Sequence, residues 1–329
     1  MGHDINHLHH VGHVVSDLEE GLVLYRRLGF HLSPPACPTL SLREGEPPRP
    51  IGAANTHANF PRSFVELMSC VSDEDPDRLP RGARRIPIQA PPEHLPRITA
   101  AIRSTVARVA SCLARFQGLH ILVFETSDAD ATAGRLSADG VRHGGVNTVR
   151  RPIDTASGTR MEPTRLLEID SDEPEEASAG RVSEGRLAVT ENPAAEALEA
   201  QLDLDHPNGA VDLVGSVLCV ARAALSDVER RYEKYLGRPA RADGPTRVFE
   251  LEGSQVTLVA DADLDTLLPG ERAPALPAFV AYAVAVRDLG AARRLLEENG
   301  FPLRRSAAGD LFVPAAAALG AAVVFRQAH

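Results

Sequence analysis

Apolar and polar positions alternate at the start of the chain, then change period. His10, Gly12 and Val14 fall on one face of a strand, and His9, Val11 and His13 on the other. From Leu18 the spacing becomes helical, with Leu18, Leu22, Tyr25 and Leu28 as the buried stripe. Ser16 or Asp17 caps this helix, Glu19 and Glu20 sit where the helix dipole favours carboxylates, and Gly29 ends it. A Pro-rich irregular loop at 34–50 follows, then strands at 52–60 and 63–71. The sum is one βαβββ unit.

Three further stretches repeat it. Residues 73–96 read as a linker. A helix at 93–115 carries Leu95, Ile98, Ile102, Val106, Val109, Leu113 and Phe116 at helical spacing. The second unit has a strand at 119–126, a helix capped by Ser127 or Asp128, and strands at 141–149, 163–169 and 186–190, with an acidic exposed loop at 171–183. The third has a strand at 214–220, a helix at 225–236 and paired strands at 247–251 and 255–259. In the fourth, a strand at 279–286 and a helix at 289–299 precede strands at 311–313 and 321–325. Asp17 and Gly29, Asp128 and Gly140, and Asp288 and Gly300 are each twelve residues apart, and an apolar residue follows each glycine. Fixed spacing of this kind marks an internal repeat. The expectation is an α+β fold of four βαβββ modules in two domains, 1–204 and 205–329.

Composition narrows the partners. The chain has 329 residues, of which 43% are hydrophobic, and a net charge of −10, which argues against a nucleic-acid partner. The basic cluster at 78–85 reads as a solvated linker. Cys37, Cys70, Cys112 and Cys219 are scattered, without a CxxC pair, and read as reduced thiols. No signal peptide is evident, and the apolar runs at 278–286 and 314–325 fall short of the ~20 residues that span a bilayer. A cytoplasmic protein with a small-molecule substrate and no membrane partner is expected, and a homodimer is left open.

The stretch from His10-Val11 to Asp17-Leu18, then Tyr25 and Leu28-Gly29-Phe30, resembles the opening of the vicinal oxygen chelate superfamily. That group includes glyoxalase I, extradiol dioxygenases, fosfomycin-resistance enzymes, methylmalonyl-CoA epimerase and bleomycin-binding proteins. Gly52-Ala53-Ala54-Asn55, Phe64-Val65-Glu66-Leu67 and His206-Pro207-Asn208-Gly209-Ala210 resemble its glyoxalase-like branch. The resemblance implies paired modules curled into a cup, with a divalent metal held by their first and last strands. Residue by residue, His10 and Glu66 match the ligand positions of the first module. In the second, Glu191 matches the carboxylate, with Glu168 as its rival. Counting back from Asp128 lands on Ile121, so His120 joins the site only if a bulge re-aims it.

Imidazoles with carboxylates suit Zn, Mn, Ni or Fe(II), and no nucleotide cofactor is implied. An open metal position would polarise a substrate oxygen while a carboxylate, Glu191, moves a proton. The reading is therefore a metal-dependent lyase, isomerase or epimerase acting on a small oxygenated metabolite. The alternatives are an Fe(II) dioxygenase of the extradiol type, or a non-catalytic binding or resistance protein. His57, Asn55 and His13 are further candidates to line the cup, whereas His3, His7 and His9 read as a solvated N-terminus. The second half offers no ligand set at Ser216, Thr257, Ala281 or near Val324, and is expected to be a degenerate domain.

Overall fold

The computed structural model describes residues 4–41, 46–71, 79–88, 91–170 and 182–328. All but two residues of the loop expected at 171–183 lie outside them.

The first module comprises β1 (Ile5–Val14), α1 (Leu18–Arg27), β2 (Ala36–Leu40), β3 (Arg49–Pro50), β4 (Ala53–Asn59) and β5 (Phe64–Cys70), followed by β6 (Arg84–Pro87) and α2 (Leu95–Arg115). The second has β7 (Gly118–Thr126), α3 (Ala129–Ala138), β8 (Asn147–Thr155), β9 (Gly158–Glu168) and β10 (Arg186–Glu191), then the short α4 (Ala195–Glu199). The third has β11 (Ala210–Val220), α5 (Leu225–Leu236), β12 (Arg241–Asp243), β13 (Thr246–Glu250), β14 (Gln255–Ala260) and α6 (Leu264–Leu267). The fourth has β15 (Ala278–Val286), α7 (Leu289–Glu298), β16 (Arg304–Arg305), β17 (Leu311–Val313) and β18 (Ala322–Gln327).

One pairing rule recurs. The opening strand of each module lies parallel to its closing strand: β1 with β5, β7 with β10, β11 with β14, β15 with β18. Opening strands then pair antiparallel, β1 with β7 and β11 with β15. A single pairing, Leu119 with Phe279, joins the halves into one sheet.

The helix frames follow from local chemistry. Asp17, Asp128 and Asp288 cap α1, α3 and α7 by accepting backbone N–H groups of the first turn. Gly29, Gly140 and Gly300 follow these helices at φ between +74° and +84°, a region open to glycine at little cost.

The bulges also repeat. In β1 the register skips Asn6 and His9, and in β7 it skips His120. In β11 it skips Val211 and Val214, and in β15 it skips Val280. His9 thus corresponds to Val214, His10 to Gly215 and His120 to Val280.

Two expectations change. The regions read as a loop at 34–50 and a linker at 73–96 contain strands. β2 pairs parallel with β6, and Arg84 forks onto Asp154 at 2.9 and 3.0 Å. Prolines at a sheet edge hid these strands, since an edge tolerates a missing donor. The strand expected at 141–149 lies instead at Asn147–Thr155 and forms a long hairpin with β9, whose polar exposed side chains weakened the apolar signal.

The convex face packs the helices into one core, with Tyr25, Phe30, Leu136, Tyr232, Leu296 and Phe325 fully or almost fully buried. The concave face of the second half is filled by apolar side chains: Val214, Ala281, Ala283 and Val324 meet Leu264 of α6 and Leu268. The counterparts of His10, Glu66, Ile121 and Ala188 there are Gly215, Thr257, Ala281 and Val324. No helix among the described residues is long and apolar enough to cross a membrane.

Candidate functional site

The first half keeps its cup open on the concave side. Strand pairing sets out two transverse rows. One runs Phe64, His10, Val123, Ala188, Glu168; the next runs His57, Glu66, Gly12, Ile121, Arg186. Paired positions share a face, so these side chains line one surface. Helix α2 lies across part of it, and a cavity of about 450 Å³ separates Arg108, Val109 and Cys112 from Met68, Ile121 and Arg186.

His10 and Glu66 both face the cup, as expected from the first module. His10 is buried and stacks on Phe64 with ring centroids 4.4 Å apart. Its Nδ1 lies 2.7 Å from His9 Nδ1, and His9 Nε2 lies 2.9 Å from Asn192 Oδ1. Asn192 Nδ2 donates to the Arg62 carbonyl, which turns Oδ1 toward His9. A neutral His9 must then donate from Nε2 and accept at Nδ1, so His10 donates from Nδ1 and keeps the lone pair of Nε2. Burial, followed by Arg151, holds the His9 imidazolium pKa well below its ordinary value. Burial and then His9 do the same for His10. The bulge at His9 brings these sequence neighbours together, and His7 is held by the Glu252 carbonyl and Asp212, so His9 and His7 are buried and not part of a solvated terminus; His3 lies outside the described residues.

Glu66 sits between two polar neighbours from β4. Asn55 Nδ2 donates to Glu66 Oε1 at 2.7 Å, and His57 Nε2 lies 3.7 Å from the same oxygen. Burial pushes this carboxyl up, but His57 and Asn55, helped by Arg186, outweigh it and hold it below the usual carboxylate range. The His57 side chain is 24% exposed and opens onto a cavity of about 760 Å³, also lined by Asn55, Arg151, Ile153, Met161 and Leu202. That volume lies in the ~300–1,000 Å³ range of small-molecule sites.

The second module does not complete a metal site. Glu191 is turned away from the cup, where its carboxylate accepts from the Ala129 N–H at the start of α3 and from Arg165. Thr190 takes the inward position, because inward positions alternate along β10 from Arg186 and Ala188. His120 does lie at a bulge, but its Nε2 bonds the Phe116 carbonyl at 2.8 Å and its ring packs on Phe116. Burial draws its pKa down to about 4. His13 points away from the cup as well, to Tyr25 and the Leu319 carbonyl. Glu168, the rival, does face the cup, but Arg186 holds it at 2.5 Å and Arg108 stands 3.8 Å away.

The positions matching His10 and Glu66 are Ile121 and Ala188, part of an apolar patch with Val123, Met68 and Leu166. Among the described residues no three His, Cys, Asp or Glu side chains stand close enough to hold a metal ion. The donor set therefore does not fit the divalent metal that the sequence suggested. Sequence reasoning ranked Asn55 and His57 below His10. Their alternation with Ala54 and Thr56 on β4, opposite Glu66, was the available signal. It missed Arg151 and Asn192 because the segments that carry them meet the cup only through non-local pairing.

A family model described as a glyoxalase-like domain matches residues 8–236. A mutant of 4-hydroxymandelate synthase from Streptomyces coelicolor is 13% identical, with a TM-score of 0.56 over 98% of this chain and 92% of that one. A hypothetical protein from Staphylococcus aureus is 11% identical, with a TM-score of 0.55 over 98% of this chain and 99% of that one. A catechol 2,3-dioxygenase is 11% identical, with a TM-score of 0.50 over 99% of this chain and 88% of that one. At such identities the likeness is one of fold alone. No curated protein sequence matches the chain.

Proposed function

Since the chain belongs to the glyoxalase-like domain family, we propose that it is an enzyme of the isomerase or epimerase type, moving a proton on a small oxygenated metabolite in the N-terminal cup without a bound metal. The observation that carries this reading is the Glu66–His57 pair, whose His57 lines the 760 Å³ cavity. The carboxylate faces Nε2 and favours the proton there, leaving the Nδ1 lone pair of His57 as the base. Its 3.7 Å separation is longer than a hydrogen bond, as is common before a ligand tightens a site.

In the proposed step, His57 Nδ1 takes a proton from a carbon next to a carbonyl. The C–H electron pair moves into the new C=C bond, and the carbonyl pair moves onto oxygen to give an enolate. Glu66 stabilises the imidazolium, and Asn55 keeps Glu66 oriented. Return of the proton from His57 at a neighbouring position gives an isomer; protonation of the opposite face by water, with His57 giving its proton to solvent, gives the epimer.

The dioxygenase reading shares the fold of its structural neighbours, but it needs two histidines and a carboxylate around iron, and His120 bonds the Phe116 carbonyl instead. A binding protein is the second reading, supported by the cavity's apolar lining. Proton NMR in D2O tests the choice. Carbonyl compounds with an α C–H are incubated with wild type, His57→Gln and Glu66→Gln. Exchange catalysed by wild type and lost in both variants supports the enzyme. Ligand binding without exchange in wild type supports the binding protein.

A further inference from the structure

We propose that Arg151 is the anchor of a carboxylate subsite, so that the molecule taken up beside His57 is a small carboxylic acid with an apolar body. This inference rests on the site proposed above and names its ligand class.

Among the described residues Arg151 is a cation without an anion. Its guanidinium lies over the Phe64 ring, 4.6 Å from the centroid. Among the described residues its Nη2 reaches only Gln201 Oε1, at 3.4 Å, and its Nη1 is shielded from solvent with no hydrogen-bond partner. No carboxylate pairs with it among the described residues. The neighbouring arginines differ: Arg84 is forked onto Asp154, and Arg186 is held by Glu168. Burial draws the Arg151 pKa down to about 10, so the guanidinium remains charged at neutral pH. A shielded cation left unpaired is costly, and a ligand carboxylate would satisfy it through two parallel N–H···O bonds.

The position of Arg151 ties it to the chemistry. Arg151 and His57 both pack against Phe64, and both line the same cavity. The walls supply the rest of the ligand's description. Of the six large apolar side chains left exposed among the described residues, Ile86, Met161 and Leu202 line this one cavity. An inorganic anion would leave those side chains in water, whereas an aryl or alkyl carboxylate would cover them.

Isothermal titration calorimetry of the full chain tests this with phenylacetate, its neutral isostere phenylacetamide, and inorganic phosphate. Wild type is expected to bind phenylacetate at least about tenfold more tightly than either other probe, a margin expected of one charge-assisted bond. Arg151→Gln is expected to weaken phenylacetate at least about tenfold, while Arg293→Gln, an exposed substitution on α7 outside the cavity, keeps the wild-type affinity. Should Arg151→Gln unfold, Arg151→Met carries the same comparison. Equal binding of acid and amide, tighter binding of phosphate, unchanged affinity in the Arg151 variant, or no binding of phenylacetate at millimolar concentration would each overturn the proposal. Arg151-dependent binding without α-proton exchange would overturn the proton-transfer reading alone. Exchange that does not depend on Arg151 would overturn the carboxylate subsite alone.

Discussion

The Nδ1 atoms of His9 and His10 lie 2.7 Å apart, although adjacent residues of a regular strand point to opposite faces. The bulge at His9 removes that constraint. Because Asn192 fixes the outer end of the pair, the arrangement sets the tautomer of both rings. In wild type, nitrogen-15 NMR of labelled histidines should find His10 protonated on Nδ1 and bare on Nε2 at neutral pH. Asn192→Leu should convert this single state into a mixture. An unchanged His10 spectrum in that variant would show that Asn192 does not set the tautomer.

Acid should destabilise the fold through its buried histidines. Burial lowers the pKa values of His13 and His120 from 6.5 to about 4. Between those values the unfolded chain binds protons that the folded chain refuses, so stability falls as the pH drops from 6.5 to 4. The loss is on the order of 3 kcal/mol for each histidine. His9 and His10 shift in the same direction. Glu66, held below the usual carboxylate range, adds a loss of the same sign at lower pH. Urea melts from pH 7 to pH 4 should show a steadily falling midpoint. A flat profile would contradict the buried, neutral state of these rings.

The missing metal donors are testable by restoring them. Wild type, exposed to zinc and desalted, should retain well under about 0.2 equivalents by elemental mass spectrometry, because two or three poorly placed donors do not close a tetrahedral site. Ile121→His combined with Ala188→Glu places donors at the positions matching His10 and Glu66 and should raise this to about one equivalent. Stoichiometric metal in wild type, lost in both His10→Ala and Glu66→Ala, would restore the metal-dependent reading.

Two glycines should differ in what they tolerate. A Cβ at Gly185 would run into the His120 carbonyl oxygen, at φ +143°, so Gly185→Ala should cost about 3 kcal/mol as that backbone gives way. Gly140 has φ +74° and no atom within 4 Å of the place a Cβ would take, so Gly140→Ala should cost only about 1 kcal/mol, from backbone strain alone. Equal midpoints in denaturant would show that the close approach of Gly185 to His120 does not constrain the fold.

What the sequence determined by itself was local. Asp17, Asp128 and Asp288 cap their helices through N–H groups two or three residues away, and Gly29, Gly140 and Gly300 take a backbone conformation set within one turn. Apolar period and these caps mark the helix frames of three modules, whereas an inward place for His10 and Glu66 came from the family resemblance. Tertiary structure decided which other side chains share that surface. The bulges at His9 and His120 depend on how β1 and β7 pair, more than a hundred residues apart in the chain, and a skipped register position changes which face a side chain takes. Glu191 turns outward and Glu168 inward because β10 pairs with β7 and β9 in one register. Arg151 reaches Phe64 only because the β8–β9 hairpin folds over the first module. Caps and periods are short-range and leave their mark in neighbouring residues; a binding site is an agreement among distant strands, whose register depends on the packing of the whole sheet.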